Sequence, residues 1–174
     1  MRPPFDYHAA PMTVTLPDGS PLELPEGATG HDAAAAIGPG LARAAVAVRV
    51  GDEIRDLARP LSDGDRIEIV TPGSGDDYLH VMRHSAAHVM AEAVQSLFPG
   101  GVKLGFGPPI ADGFYYDFDL PRPLTEDDFP AIEAEMRRII RAKAPFQRSV
   151  MSVDDARAFF AERGDPYKVD QVEE

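Results

Sequence analysis

The hydrophobic period of the chain turns from mainly two-residue to mainly helical at Thr71-Pro72-Gly73-Ser74-Gly75-Asp76-Asp77. Before that segment apolar residues alternate with polar ones, the two-residue period of half-buried strands. Beyond it they recur at steps of three and four, the period of a single buried helix face. The segment itself has almost nothing apolar to bury and the composition of a flexible linker. The switch predicts two small domains with separate cores, which a length of 174 residues accommodates. The expected organisation is a loose tail at 1–10, a first domain at 11–72, a linker at 73–78 and a second domain at 79–174.

In the first stretch, Met12, Val14 and Leu16 alternate with Thr13 and Thr15. Pro17-Asp18-Gly19 supplies a turn, and Leu22 and Leu24 resume the alternation, which predicts a β-hairpin. Thr29 can cap a short Ala-rich helix with Asp32 completing an Asp version of the capping box, and Gly38-Pro39-Gly40 ends it. Ala44 to Val50 is a nearly continuous apolar run, expected as a strand buried on both faces. Gly51-Asp52 turns the chain into Ile54 to Leu57, and Ser62-Asp63-Gly64-Asp65 precedes a last strand at Arg66 to Val70. Two strands, a helix and two further strands give an α+β order of β-grasp type.

After the linker, Leu79, Met82, Ala86, Val89 or Met90, Ala93 and Leu97 mark the core face of a helix that stops at Pro99-Gly100. Two strands are expected around Val102 to Phe106 and Phe114 to Phe118, separated by a Gly-Pro-Pro loop. Thr125 can cap a helix with Phe129, Ile132, Met136 and Ile139 or Ile140 on its apolar face, although Pro130 could delay its start. Ser152 opens a third helix, with Val153, Ala156, Phe159 and Phe160 facing inward and Gly164 at its end. Val169 to Glu174 reads as extended.

No apolar run approaches the ~20 residues needed to cross a bilayer, and the first residues lack a signal-peptide pattern. A cytoplasmic protein with no membrane partner is the expectation. The absence of cysteine excludes disulfides and thiolate metal sites. A net charge of −12 argues against gripping nucleic acid with the whole surface, because phosphate binding is driven by Lys and Arg. Yet Arg137, Arg138, Arg141, Lys143 and Arg148 fall in a stretch without Asp or Glu. That segment is either a solvated helix face or a phosphate-contacting one, and it is the candidate RNA-binding set.

The residues best suited to chemistry are His84 and His88, four apart on the first helix of the second stretch. Side chains at that spacing share a face roughly 5 to 6 Å apart, near enough to hold one water, hydroxyl or metal ion between them. Spacing alone leaves three readings open: helix-face histidines, a hydrolytic site or a metal site. Ser85 stands where a zinc protease of the His-Glu-x-x-His kind needs its glutamate, and two histidines make half a tetrahedral zinc site. No metal ligand is assigned. By itself Lys168 reads as a solvent-exposed tether, and Tyr115 and Tyr116 as one buried and one exposed ring of a strand.

Several of these segments also carry a family resemblance. Val14 to Gly19 (VTLPDG), Ile37 to Ala42 (IGPGLA) and Asp63 to Pro72 (DGDRIEIVTP) resemble the TGS domain, a ubiquitin-like β-grasp module, of bacterial threonyl-tRNA synthetases. Arg83 to Met90 (RHSAAHVM), Gly107 to Phe118 (GPPIADGFYYDF) and Phe160 to Val169 (FAERGDPYKV) resemble, in order and spacing, the editing domain of the same family. Ala86 departs from that pattern, where a cysteine often stands between the histidines.

The resemblance implies proofreading by hydrolysis of mischarged Ser-tRNA(Thr), with tRNA(Thr) as partner. It implies catalytic roles for His84, His88 and Lys168 and a substrate-binding wall at Tyr116. In the family a later Cys-x-x-x-His segment completes the editing site. A ligase core with ATP, magnesium and one zinc follows, and dimerisation rests on it. None of those segments occurs in this sequence, so the expectation is an α+β editing domain incomplete at its C-terminal end, no cofactor in this stretch, and a homodimer only for the full-length parent. The rival is a non-enzymatic RNA-binding or regulatory protein built from TGS and an inactive editing fold.

Overall fold

A computed structural model describes residues 11–144 and 147–173, and the expected tail at 1–10 lies outside the described residues. The chain divides into two compact units, 1–81 and 82–174.

In the first unit, β1 (Pro11–Thr15) and β2 (Pro21–Pro25) form the antiparallel hairpin, with Met12 opposite Leu24 and Val14 opposite Leu22. Helix α1 (Gly30–Ile37) is capped by Thr29, whose hydroxyl accepts from the Asp32 amide while the Asp32 carboxylate accepts from the Thr29 amide at 2.8 Å. A second helix that the pattern did not predict, α2 (Pro39–Ala44), follows at once. Pro39 at its first position has no amide proton to lose, and Leu41 to Ala44 are good helix formers. The expected strand at Ala44 to Val50 is therefore shortened to β3 (Ala47–Val50). It lies between β4 (Glu53–Arg55) and β5 (Ile67–Val70), antiparallel to both. Its two faces are not both closed, because Arg49 stays half-exposed and pairs with Asp77.

A parallel bridge between Thr15 and Arg66 joins the hairpin to β5 and gives the order β2-β1-β5-β3-β4. Met12, Val14, Leu24, Val48, Val50 and Ile67 project into one core beneath α1, as the β-grasp order requires. The helix reaches the sheet because its inner face is small: Gly30, Ala33 and Ala34 are buried.

The long helix α3 (Asp76–Leu97), most of which belongs to the second unit, begins three residues earlier than its apolar period suggested, with Asp76 and Asp77 in a first turn that favours negative charge. Its buried residues are Ala87, Ala91, Ala93 and Val94. Leu79, Met82 and Leu97, expected in the core, are 42%, 44% and 38% exposed. Of the expected face Ala93 is buried and Met90 packs against the core, and with alanine also at 86, 87 and 91 two neighbouring stripes are apolar, so packing rotated the buried face toward Ala87, Ala91 and Val94.

The strands that follow belong to one broken hairpin. β6 (Lys103–Leu104) pairs with β9 (Phe118–Asp119), and β7 (Pro109–Ile110) with β8 (Gly113–Phe114). Gly105 donates to the Asp117 carbonyl and Asp117 to the Phe106 carbonyl between them. The reversal lies at Ala111-Asp112, not at the expected Gly-Pro-Pro loop. Thr125 caps a 3-10 turn at Glu126–Asp128 that runs into α4 (Phe129–Ala142), so Pro130 falls in the tolerated first turn.

Ile132 of α4 is buried against Ala93 and Val94, while Phe129 and Ile140 remain largely in water. Ser152 opens α5 (Val153–Glu162), but Val153 and Phe159 are exposed, and only Ala156 and Phe160 of the expected face are half-covered. The end of the chain is helical where an extended segment was expected. Gly164 in the left-handed region (φ 67°) stops α5, and α6 (Pro166–Glu173) starts at a proline, packed on α5 and β6.

Gly30 tests the first core. An added Cβ would lie 2.9 Å from Val48 Cβ, an atom too close to the backbone to give way. Gly30→Ala is expected to lose about 1 to 3 kcal/mol to overpacking, more than the ~1 kcal/mol of helix propensity it gains. Gly38 is extended (φ 168°) with nothing within 4 Å of such a Cβ, so Gly38→Ala should shift stability by less than ~0.5 kcal/mol. Urea midpoints of the two variants check the contrast.

Candidate functional site

Helix α3 sets the geometry of the two histidines. Their four-residue spacing brings His84 Nε2 to 3.0 Å from His88 Nε2, with ring centroids 4.8 Å apart and planes tilted by 36°. One nitrogen of such a contact donates and the other accepts, so the pair shares a single proton across it. Arg83 fastens this part of the helix to the hairpin turn by donating to the Ile110 carbonyl at 3.4 Å.

The pKa of His88 is held below its usual 6.5, first by partial loss of hydration and then by the positive charges of His84 and Lys168. Lys168 sits on α6, half-buried, and donates to Gln171 Oε1 at 3.2 Å. Lys168 is therefore held on α6 by a hydrogen bond along its own helix, where the sequence alone suggested a solvent-exposed tether.

Tyr116 lies between β8 and β9. Its ring stacks on Phe118 at 4.9 Å, and it closes on Gly107 so tightly that a Cβ there would fall 2.0 Å from Tyr116 Cδ2. Tyr116 is half-buried and Tyr115 47% exposed, as strand alternation requires. Burial raises the Tyr116 phenol above its usual range, and the negative charge of Asp165 adds to this.

Asp165 was not singled out from the sequence. Its carbonyl accepts the first bond of α6, from the Val169 amide, while its Oδ1 is buried with no hydrogen-bond partner among the described residues. A Gly-Asp-Pro step before a helical segment is the signal that could have drawn attention to it. Two charge relations thus involve α6 within the second unit: that of Lys168 with His88 on α3, and that of Asp165 with Tyr116 on the hairpin.

The basic segment is less positive in space than in sequence. Arg137 pairs with Glu133 at 2.9 Å and Arg138 with Glu135 at 2.7 Å, because a helix brings acids three and four residues upstream onto the same face. Arg141 and Lys143 at the end of α4, and Arg148 beyond it, are exposed. No cluster of three or more His, Asp or Glu side chains able to hold a metal ion occurs among the described residues. A polar cleft of about 450 Å³, lined by Gln95, Phe98, Lys103 and Arg163, lies two turns further along α3 from the histidines.

The TGS domain family matches residues 12–71. Over about nine-tenths of its length the chain is similar to proteins named threonine--tRNA ligase. It is 50% identical over 159 residues to the one from Acidiphilium cryptum (91% of this chain, 24% of the relative). Identity is 47% over 162 residues to that of Rhizobium rhizogenes (93% and 24%) and 46% over 167 residues to one from Thermus thermophilus (92% and 25%). The chain spans about a quarter of the length of these relatives. No helix among the described residues is long and apolar enough to cross a membrane.

The His88 environment predicts a titration. Its proton NMR midpoint should fall below 6.5, and Lys168→Met should raise it by removing a nearby positive charge. The unfolded chain then binds more protons than the folded one between the lowered midpoint and 6.5. The His88 contribution to stability is present above 6.5 and is lost as pH falls through the lowered midpoint. An unmoved midpoint in Lys168→Met would mean that the ammonium group does not face the histidine.

Proposed function

On the premise that this chain carries a TGS domain and is homologous along nine-tenths of its length to threonine--tRNA ligases, we propose that its second unit serves proofreading, by hydrolysis of the seryl ester on mischarged Ser-tRNA(Thr). The ligation of threonine to tRNA(Thr), with its ATP, magnesium and zinc and its homodimeric assembly, we assign to the parts of the longer proteins outside this stretch, all in the cytoplasm. The observation that carries the proofreading reading is the His84–His88 contact at 3.0 Å beside a lysine whose charge reaches His88.

A threonine enzyme needs such a site because serine differs by the loss of one methyl group. A binding pocket gains only about 1 to 3 kcal/mol from that group, a selectivity of roughly 10 to 200-fold. A second site that admits and hydrolyses the smaller ester supplies the rest.

The chemistry is attack of water on the ester carbonyl carbon. His88, kept neutral at neutral pH, accepts the proton of the attacking water, and the His84 contact fixes its ring. The carbonyl oxygen gains the negative charge, opposed by the Lys168 ammonium group. When the tetrahedral intermediate collapses, the bond to the ribose oxygen breaks and that oxygen takes up the proton from the histidine pair. Serine and a free ribose hydroxyl result. Tyr116, fixed on Gly107 and Phe118, walls the pocket. Arg141, Lys143 and Arg148 are the cations best placed to meet phosphates, with Arg137 and Arg138 available at the cost of weak, exposed ion pairs.

Deacylation of Ser-tRNA(Thr) tests the reading. The chain alone is expected to be slow, because a site open to water lacks part of its fixed polar surroundings. Extension through a Cys-x-x-x-His segment should raise the rate strongly, and His84→Ala, His88→Ala or Lys168→Ala should remove roughly 10² or more of that gain. An extended His84→Ala protein as fast as its parent would return the histidines to the helix surface. The unextended chain should also show no threonine-dependent ATP–pyrophosphate exchange.

A further inference from the structure

We infer that Asp165 is the carboxylate that receives the α-ammonium group of the aminoacyl ester; the inference rests on the proofreading reading of the same site. An aminoacyl ester brings a positive charge into the pocket with it. Of the groups assigned to that site, Lys168 is positive, the histidine pair is neutral or positive, and Tyr116 is a neutral phenol, so an incoming ammonium group meets repulsion unless an anion faces it.

Asp165 supplies that anion. It stands three residues before Lys168, at the start of α6, and its charge reaches Tyr116. Its Oδ1 is closed off from solvent and has no hydrogen-bond partner among the described residues. A carboxylate oxygen in that condition costs free energy unless something donates to it, and buried polar groups without partners are rare enough to require a reason. Aspartate turns readily about its last torsion, so the vacant acceptor can be presented to a ligand beside Tyr116 without displacing the backbone. Position matters too. Asp165 and Lys168 are fixed on one helical turn, so the same short element would hold the ammonium end of the substrate and oppose charge on its ester oxygen. The site would thereby select α-amino esters over esters that lack the amine.

Two probes separate these roles in the chain as it stands: 3′-deoxy-3′-(serylamino)adenosine, whose amide resists hydrolysis, and its counterpart with a 3-hydroxypropanoyl group, which lacks only the amine. Calorimetric titration of the unaltered chain should show the amino compound bound roughly ten- to a hundredfold more tightly, the range of a hydrogen bond to a charged group. Asp165→Asn should level the two, and Asp165→Glu should restore part of the preference. Should Asp165→Asn not fold, the unaltered chain still decides: the amino compound must shift the Asp165 carboxyl carbon resonance and the counterpart must not. Equal binding of both compounds by the unaltered chain, or a preference that survives in Asp165→Asn, overturns the assignment while leaving the proofreading reading standing. Binding of neither compound overturns both.

Discussion

Both core helices meet their neighbours through glycine and alanine, and the placement of everything else follows from that. Gly30, Ala33 and Ala34 let α1 settle onto the β-grasp sheet, and Ala87, Ala91 and Ala93 do the same for α3 in the second unit. Small side chains bring backbones close but remove little apolar area from water, at about 25 cal/mol per Å². The burden of burial then falls on the partners. In the first unit Val14, Val48, Val50 and Ile67 of the strands carry it. In the second unit the strands are two residues long, and the buried cluster is Ala93, Val94 and Ile132 with half-covered neighbours. The second core is the thinner one, and it leaves Phe106, Val150 and Val153 more than half exposed.

A helix that buries one narrow alanine stripe leaves most of its circumference for other uses. His84 and His88 occupy such an outer face of α3, and the backbone spacing alone sets their separation. The α6 helix brings Lys168, whose charge acts on His88, and the hairpin brings Tyr116, on which the charge of Asp165 acts. Each brings an electrostatic bias: His88 is pushed toward its neutral form and Tyr116 away from ionisation. Both shifts favour groups that exchange protons or donate hydrogen bonds near neutral pH over groups that carry fixed charge there. Asp165, whose charge acts on Tyr116, keeps one buried oxygen unmatched among the described residues.

Much of this was legible from residues alone. The hairpin from Pro11 to Pro25, the Thr29–Asp32 capping box, the last strand near Val70 and the helical spacing of the histidines are local properties, fixed by alternation, turn chemistry and side-chain hydrogen bonds within a few residues. The family resemblance pointed to Lys168 and Tyr116, which no period or spacing marks. Local pattern failed where two answers were equally apolar. Ala44 to Val50 could be all strand, yet Pro39 drew its beginning into α2. The alanines of α3 allowed two buried stripes. Val169 to Glu173 has no helical apolar period, and α6 forms there by packing on α5 and β6.

The sequence by itself determined the α+β order, the β-grasp half with its TGS pattern and the distance between His84 and His88, because each depends on interactions among residues close along the chain. Tertiary structure alone decided which alanines of α3 are buried, that the charge of Lys168 acts on His88, and that the charge of Asp165 acts on Tyr116. Those outcomes turn on desolvation and on charges brought together from segments some 50 to 80 residues apart, and neither acts until the chain has closed on itself.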